Sequence, residues 1–153
     1  MDLSENSQVS QFYNGKNIFL TGGTGFLGKC FMEKVLRSCP GVGNIYMLCR
    51  GKRGKTPQER MDKLFSEMLF DNVRENLPGQ IKKVIPVVGD VLEKGLGLSE
   101  EDEKLVTDNC HVIIHSAATI RFDDHIKWVD IWCQSDQFNG HFWWTSLCEI
   151  ETQ

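Results

Sequence analysis

The sequence predicts an α/β fold, a doubly wound parallel sheet, over residues 16–126 of a 153-residue chain. Three observations predict it. Short apolar runs alternate with segments of helical periodicity, as in strand–helix–strand units. A glycine-rich turn joins the first run to the first helix. The last run, at residues 111–118, is apolar at successive positions, which is typical of a strand buried on both faces. We therefore expect one domain with strands in the order 3-2-1-4.

The first unit is strand, glycine turn and helix. Residues 16–21 (KNIFLT) form the predicted strand and lead directly into the glycines at 22, 23, 25 and 28. From Phe26 to Ser38, the apolar residues Leu27, Phe31 and Val35 recur every four positions, as one face of a helix requires. The sequence Cys-Pro-Gly at 39–41 ends this helix, which we expect to pack across strands one and two.

The second unit is a strand at residues 44–50 followed by a basic run and a helix. Thr56 and Glu59 form a capping box around Pro57, which fixes the start of the helix. An apolar stripe extends the prediction to about Phe70; its members are Met61, Leu64, Phe65, Met68 and Leu69.

The remaining elements of the predicted domain are two strands and one short helix. Residues 84–90 form a strand, and Pro86 favours a sheet edge or a strand start because proline donates no ladder hydrogen bond. Ser99 and Asp102 open an acidic helix that extends to about Val106. The polar residues 1–15 are predicted to be a flexible segment before the domain.

The last part of the chain, residues 127–153, differs in character from the predicted domain. All four tryptophans lie there (Trp128, Trp132, Trp143 and Trp144), and no helical or strand period can be traced through it. We expect this tail not to be native to the fold. An altered reading frame, an alternative exon or a gene-model fault near Ile126 would explain it.

Composition excludes several classes of function. A net charge of −4 gives no general attraction to nucleic acid. Residues 1–15 lack the apolar core of a secretory signal, and no apolar run is long enough to span a bilayer, so we expect a soluble chain on the cytosolic side. The six cysteines form no C-x-x-C pair and are interpreted as reduced, mostly buried thiols. Neither His111 nor His115 belongs to a metal-ligating cluster, so no metal is predicted.

The turn at residues 21–28 carries the chemistry. It fits T-G-x-x-G-x-x-G between a strand and a helix, the pattern of a Rossmann-type dinucleotide site, where glycines admit a pyrophosphate to the helix N-terminus. One alternative is a glycine turn without a ligand. The other is a phosphate-binding P-loop, since Gly23, Gly28 and Lys29 match G-x-x-x-x-G-K; Cys30 argues against it, because Mg²⁺ needs a Ser or Thr hydroxyl there.

The end of the second strand indicates which dinucleotide binds. NAD-binding enzymes place an Asp or Glu there, whereas this chain has cations at four positions: Arg50, Lys52, Arg53 and Lys55. They suit the 2′-phosphate of NADPH, the alternative being a solvated basic loop. Asp90 ends the third strand, where it would accept from the adenine amino group or bond local backbone. Ser116, Ala117 and Ala118 end the fourth strand and would let the cofactor approach the backbone.

Residues 12–126 resemble the N-terminal part of the fatty acyl-CoA reductases, within the extended short-chain dehydrogenase/reductase group. The matching stretches are TGGTGFLGK (21–29), MLCRGKRGK (47–55), VIPVVGDV (84–91), GLGLSEED (95–102) and HSAATIRFDD (115–124). The resemblance implies NADPH-dependent reduction of long-chain fatty acyl-CoA to fatty alcohol, in enzymes often associated with endoplasmic reticulum or peroxisomal membranes. The cofactor-binding residues that it and the motif imply are Thr21, Gly22, Thr24, Gly25, Phe26, Leu27, Gly28, Arg50, Arg53, Asp90, Val91, Ala117 and Ala118.

No catalytic residue can be assigned from the resemblance. The group uses a Tyr-x-x-x-Lys pair, in which the tyrosine protonates the developing alkoxide. The two tyrosines here, Tyr13 and Tyr46, have no lysine four residues on, so we expect this chain alone to be inactive. A non-catalytic NADPH-binding or interaction module remains an alternative. So does a sugar-nucleotide epimerase or dehydratase, which shares the glycine motif but usually has an acid after the second strand.

Overall fold

The computed structural model describes residues 7–51, 54 and 56–117. The helices are α1 (Gln8–Tyr13), α2 (Phe26–Ser38), α3 (Pro57–Phe65), α4 (Asp71–Asn76), α5 (Pro78–Ile81) and α6 (Glu100–Asn109), with 3₁₀ turns at Met68–Phe70 and Lys94–Gly97. The strands are β1 (Ile18–Thr21), β2 (Ile45–Cys49), β3 (Val84–Val88) and β4 (Val112–His115). The predicted tail lies outside the described residues.

The four strands form one parallel sheet in the order β3-β2-β1-β4, which confirms the predicted topology. Alternate residues of the central strands face two separate apolar cores. Ile18 and Leu20 of β1 join the core that contains Met32 and Leu36 of α2. Phe19 joins the opposite core, with β3 and α6. Both faces of the sheet are covered, as the doubly wound prediction requires.

Proline in β3 fits the position of that strand. In the described sheet β3 pairs with β2 alone, and Pro86 lies opposite Met47 in the register. An edge strand has one side on which no ladder donor is needed, so the missing N–H of Pro86 is tolerated. The prediction of an edge position is confirmed. β4 is also outermost among the described strands, and its residues are half-buried rather than buried on both faces as predicted.

The apolar stripe predicted for α2 is partly wrong, although the bounds of the helix are as predicted. Leu27 is 60% exposed, whereas Gly28, Met32, Val35 and Leu36 form the buried face. Successive residues of a helix are about 100° apart, so a helix that presents Gly28 to the glycine turn directs Leu27 away from the core.

The helix predicted to extend to about Phe70 ends at Phe65 instead. Its capping box is present, with Thr56 and Glu59 bonded to each other's backbone N–H groups. After Ser66 the chain turns, and Met68 is 84% exposed. Phe70 is fully buried, and its ring lies edge-on to that of Phe65 with the ring centroids 4.9 Å apart. Periodicity missed this end because a 3₁₀ turn changes the spacing of buried positions from about 3.6 to 3.0 residues.

Part of the segment predicted to be flexible forms α1. The Ser7 hydroxyl accepts a hydrogen bond from the Ser10 N–H, and the Tyr13 ring lies edge-on to Phe31 with centroids 6.3 Å apart. Packing against α2 therefore orders a helix that is too short and polar to be recognised from periodicity. At the other end, Ser99 caps α6 as predicted, and the helix extends to Asn109. Among the described residues, no helix is long and apolar enough to cross a membrane.

Candidate cofactor-binding site

A cleft of about 370 Å³ opens at the carboxyl ends of the parallel strands. This is the edge at which open α/β sheets bind their ligands. The end of β2, the segments that follow all four strands, and α3 contribute to its lining, which consists of Gly22, Thr24, Gly25, Leu48, Cys49, Arg50, Arg60, Gly89, Val91, Ser116 and Ala117. Six of these residues were predicted from the sequence to bind the cofactor: Gly22, Thr24, Gly25, Arg50, Val91 and Ala117.

Gly22 holds the turn after β1 in a conformation that other residues rarely adopt. Its φ is +69°, in the left-handed region. A Cβ built there would lie 2.4 Å from the Ala117 backbone nitrogen and 2.5 Å from the Ser116 carbonyl carbon. The turn and the segment after β4 are therefore in direct backbone contact, which places Ala117 beside the glycine turn. Ala118 lies outside the described residues.

Gly25 and Gly28 bring the N-terminus of α2 to the same cleft. Gly25 is the N-cap of α2 and donates its N–H to the Gly22 carbonyl at 2.9 Å. A Cβ on Gly28 would lie 2.4 Å from that same carbonyl oxygen, so the helix can approach the turn only with glycine there. The first N–H groups of a helix, here including Phe26 and Leu27, have no partner within the helix and favour an anion. Both side chains are largely exposed, and neither belongs to the cleft lining.

Thr21 lies beneath the turn and does not line the cleft. Its side chain is buried, and its hydroxyl is 2.5 Å from Nδ1 of His115. Its carbonyl accepts from the Ser116 N–H and hydroxyl at 3.2 and 2.9 Å. Burial lowers the pKa of His115, although a hydrogen bond with the Ala117 backbone opposes the change. Thr21 and a neutral His115 therefore fasten β1 to β4 below the site.

Arg50 and Asp90 meet at the ends of β2 and β3. Nε of Arg50 lies 3.2 Å from an Asp90 carboxylate oxygen, and the same oxygen accepts from the Leu92 N–H at 3.1 Å. Asp90 thus makes the hydrogen bond to local backbone that the sequence offered as the alternative to adenine binding. It also pairs with Arg50, a residue predicted to bind the 2′-phosphate. Arg53, with Lys52 and Lys55, lies outside the described residues.

Sequence reasoning missed four residues of the cleft: Leu48 and Cys49 at the end of β2, Arg60 and Gly89. Arg60 extends from α3 and donates through Nη1 to the Arg50 carbonyl. Gly89 follows β3, where a Cβ would lie 2.4 Å from the Leu96 carbonyl oxygen and 2.8 Å from the Leu48 side chain. Arg60 directly follows Glu59 of the capping box, about one helical turn after the basic loop. That spacing was a signal from which Arg60 could have been predicted to lie near the loop. Nothing in the sequence pattern marks Gly89.

The geometry also argues against a P-loop. A P-loop lysine reaches the phosphates, whereas Nζ of Lys29 contacts both carboxylate oxygens of Glu67 at 2.6 Å and is not part of the cleft lining.

Among the described residues no group of His, Cys, Asp and Glu could hold a metal ion. The cysteines at 30, 39, 49 and 110 are free thiols. Burial raises the pKa of Cys39, Cys49 and Cys110, so these thiols stay protonated.

Comparison with known families matches residues 20–129 to the profile described as "Male sterility protein", an NAD-binding family. The match covers more than half of the chain and includes every element that lines the cleft. The chain belongs to this family. The predicted resemblance to the N-terminal part of the fatty acyl-CoA reductases and the predicted Rossmann-type fold are both confirmed.

Individual relatives agree with the family. The chain is similar to "Fatty acyl-CoA reductase 1" of Mus musculus (46% identical) and of Homo sapiens (44%), each over 78% of this chain and 23% of the relative. It therefore spans about a quarter of the length of these relatives. A similar solved structure is the terminal R domain from the myxalamid PKS-NRPS biosynthetic pathway. That match has a TM-score of 0.57 and 29% identity, and it covers 74% of this chain and 27% of that one.

Proposed function

We propose that this chain is the NADPH-binding part of a fatty acyl-CoA reductase. The observation that carries the proposal is the cleft itself, in which a glycine turn and the N-terminus of α2 lie together with Arg50 and Arg60. Membership of an NAD-binding family supports a nicotinamide cofactor. The names of the relatives supply the substrate class, fatty acyl-CoA. The long acyl chain and the fatty alcohol product are what the sequence resemblance implies. The reduction belongs to the whole protein, of which these residues form the cofactor-binding part.

The residues present fit the cofactor. Gly22 and Gly25 line the cleft where a pyrophosphate would lie, and the N-terminus of α2 offers N–H groups and a favourable dipole. Arg50 and Arg53 are assigned to the 2′-phosphate, because paired guanidinium and phosphate groups form charge-assisted, often bidentate hydrogen bonds. Val91 is buried at the end of β3 and is assigned, with Asp90, to the adenine. Ala117 leaves the backbone accessible where the nicotinamide half would lie. When bound, NADPH supplies the hydride for acyl reduction.

The proton donor is not provided by the described residues. Tyr46 is buried in the core of the sheet, and Tyr13 is half-buried against α2. Burial raises the pKa of Tyr13, with a smaller contribution from the nearby Cys39 thiol. Neither tyrosine is among the described residues that line the cleft. The similarity to reductases does not favour the sugar-nucleotide epimerase alternative. This chain also lacks the acidic residue that such epimerases usually have after β2.

The first prediction tests the choice of cofactor. Replacing Arg50 and Arg53 together by Ala should weaken NADPH binding by roughly tenfold or more, the range for lost charge-assisted hydrogen bonds. NADH has no 2′-phosphate, so its affinity should change little. Both dissociation constants can be measured by calorimetric titration of the wild-type chain and the variant.

The control for this experiment removes a cation far from the cleft. Arg37 pairs with Glu33 on the outer surface of α2 at 2.5 Å, so Arg37→Ala alters net charge without touching the site. It should leave both affinities unchanged. An equal loss of NADPH and NADH affinity in the double variant would show that Arg50 and Arg53 do not recognise the 2′-phosphate.

A further inference from the structure

Thr56, the N-cap of α3, combines an exposed hydroxyl group with a proline as the next residue. The sequence contains four prolines, and the residues before the other three are Cys39, Leu77 and Ile85. Thr56 is therefore the one serine or threonine of the whole sequence that a proline follows. This pair is what a proline-directed protein kinase requires of its substrate.

The conformation of Thr56 is also that of a kinase substrate. Its φ of −70° and ψ of 155° are extended, as expected for a residue that precedes proline. Its hydroxyl oxygen accepts from the Glu59 N–H at 3.2 Å, and this bond does not use the hydroxyl proton. Protein kinases bind the acceptor residue in an extended segment, and their catalytic aspartate accepts that proton. An exposed, extended Thr-Pro pair therefore meets both requirements.

A phosphate on Thr56 would lie about one helical turn from a residue of the cleft. Arg60 follows Thr56 by four positions, and its N–H donates to the Thr56 carbonyl at 3.2 Å. The Arg60 side chain lines the cleft and donates to the Arg50 carbonyl. A phosphothreonine carries about −1.5 to −2 charges at pH 7, so it would attract this guanidinium. The phosphate and an anionic dinucleotide would thus compete for the same positive charge.

We propose that Thr56 is a phosphorylation site of a proline-directed protein kinase, and that its phosphate weakens dinucleotide binding at the cleft. The Thr56 hydroxyl oxygen forms a bond to the γ-phosphorus of ATP, the bond from that phosphorus to the β–γ bridging oxygen breaks, and ADP leaves. The hydroxyl proton passes to the catalytic base of the kinase. The site is independent of the proposed function, whereas its effect on binding rests on that function.

The site is tested by incubating the wild-type chain with ATP and a purified mitogen-activated protein kinase, which is proline-directed. We expect mass spectra to locate one phosphoryl group on Thr56. Thr56→Ser keeps the hydroxyl and should also be modified. Thr56→Asn keeps an oxygen that caps the helix but has no hydroxyl, so it should stay unmodified. Pro57→Ala removes the recognition element and should lose most of the modification.

A matched control site lies in the same chain. Ser99 caps α6 as Thr56 caps α3, and its hydroxyl accepts from the Asp102 N–H at 3.1 Å. Glu100 follows it instead of proline. Ser99 should therefore stay unmodified under the same conditions, which separates recognition of the Thr-Pro pair from general exposure of an N-cap hydroxyl.

The effect on binding is tested by titrating NADPH into the phosphorylated and the unphosphorylated chain. We expect phosphorylation to weaken binding roughly tenfold, as for a charge–charge interaction near a protein surface. Thr56→Asp and Thr56→Asn give a second measure that needs no kinase, because both residues are good N-caps and differ mainly in charge. The Asp variant should bind NADPH more weakly than the Asn variant, and added salt should reduce the difference.

Two results would overturn the inference. A wild-type chain that stays unmodified, or that is modified as much as Thr56→Asn, would show that Thr56 is not the site. Unchanged NADPH affinity after phosphorylation would show that the phosphate does not act on the cleft. If the unphosphorylated wild type binds no NADPH, the proposed function and the effect on binding fail together, while the mass spectra still decide whether Thr56 is modified.

Discussion

At the scale of single residues, the site depends on backbone contacts that permit no side chain. Gly22 and Gly28 each lie where a Cβ would meet backbone atoms within 2.4 Å. Both positions were predictable, because the spacing of a dinucleotide-binding turn demands glycine for stated reasons. Gly89 is comparable, because a Cβ there would meet the Leu96 carbonyl oxygen. Leu96 belongs to a 3₁₀ turn that no sequence pattern predicted.

Side chains whose partners come from distant strands were harder to predict. Thr21 belongs to the motif and was expected to bind the cofactor, but its hydroxyl contacts His115, which is distant in sequence. Arg60 was overlooked because a charge on an amphipathic helix is usually solvated, whereas here its hydrogen bond to the Arg50 carbonyl holds it at the cleft. The register of β1 and β4 decides the role of Thr21, and the tertiary position of α3 decides that of Arg60; no local pattern contains either.

The pair of Thr21 and His115 predicts a pH-dependent stability. Burial holds the pKa of His115 below its ordinary value of 6.5, so near pH 6 the unfolded chain binds more protons than the folded chain. The contribution of the neutral imidazole to stability is therefore present above about pH 6.5 and is lost as the pH falls below that value. His115→Asn keeps an amide near Nδ1 and does not titrate, so its stability should depend less on pH.

Urea unfolding of both chains at pH 7.5 and 5.5 checks this prediction. The wild type should lose more stability than His115→Asn between the two values. The same pH dependence in the wild type and His115→Asn would mean that the buried imidazole is not responsible.

At the scale of elements, local signals predicted where helices begin better than where they end. Pro57 and the capping box fix the start of α3, and the glycine turn fixes that of α2. These signals are local in sequence and independent of packing. The end of α3 depends on tertiary contacts instead, since Phe70 returns to the core only after the chain turns at Ser66. The parallel strand order was predictable because right-handed crossovers leave few alternatives.

Substitutions in the 3₁₀ turn after α3 test this difference in packing. Phe70 is fully buried and contacts Phe65, so Phe70→Ala should reduce the free energy of unfolding by about 3–5 kcal/mol. Met68 belongs to the stripe expected from the sequence but is 84% exposed, so Met68→Ala should change it by less than about 0.5 kcal/mol. Chemical denaturation of both variants measures the difference. A larger loss of unfolding free energy for Met68→Ala than for Phe70→Ala would favour the continuous helix that the sequence predicted.

At the scale of the whole molecule, function follows from the way a parallel sheet gathers its strand ends. Residues separated by more than 90 positions, such as Gly22 and Ala117, meet because β1 and β4 are neighbours. The described sheet thereby assembles a cofactor cleft, while the chain spans about a quarter of the length of its reductase relatives. Cofactor binding is accordingly the property that this chain can be expected to show by itself.

The most direct test of the account is a calorimetric titration of the wild-type chain with NADPH and, under the same conditions, with NADH. The cations beside the cleft should make NADPH bind at least about tenfold more tightly, and the difference should shrink as salt screens the 2′-phosphate. Equal affinities, or no saturable binding of NADPH, would contradict the central claim that this cleft is an NADPH site.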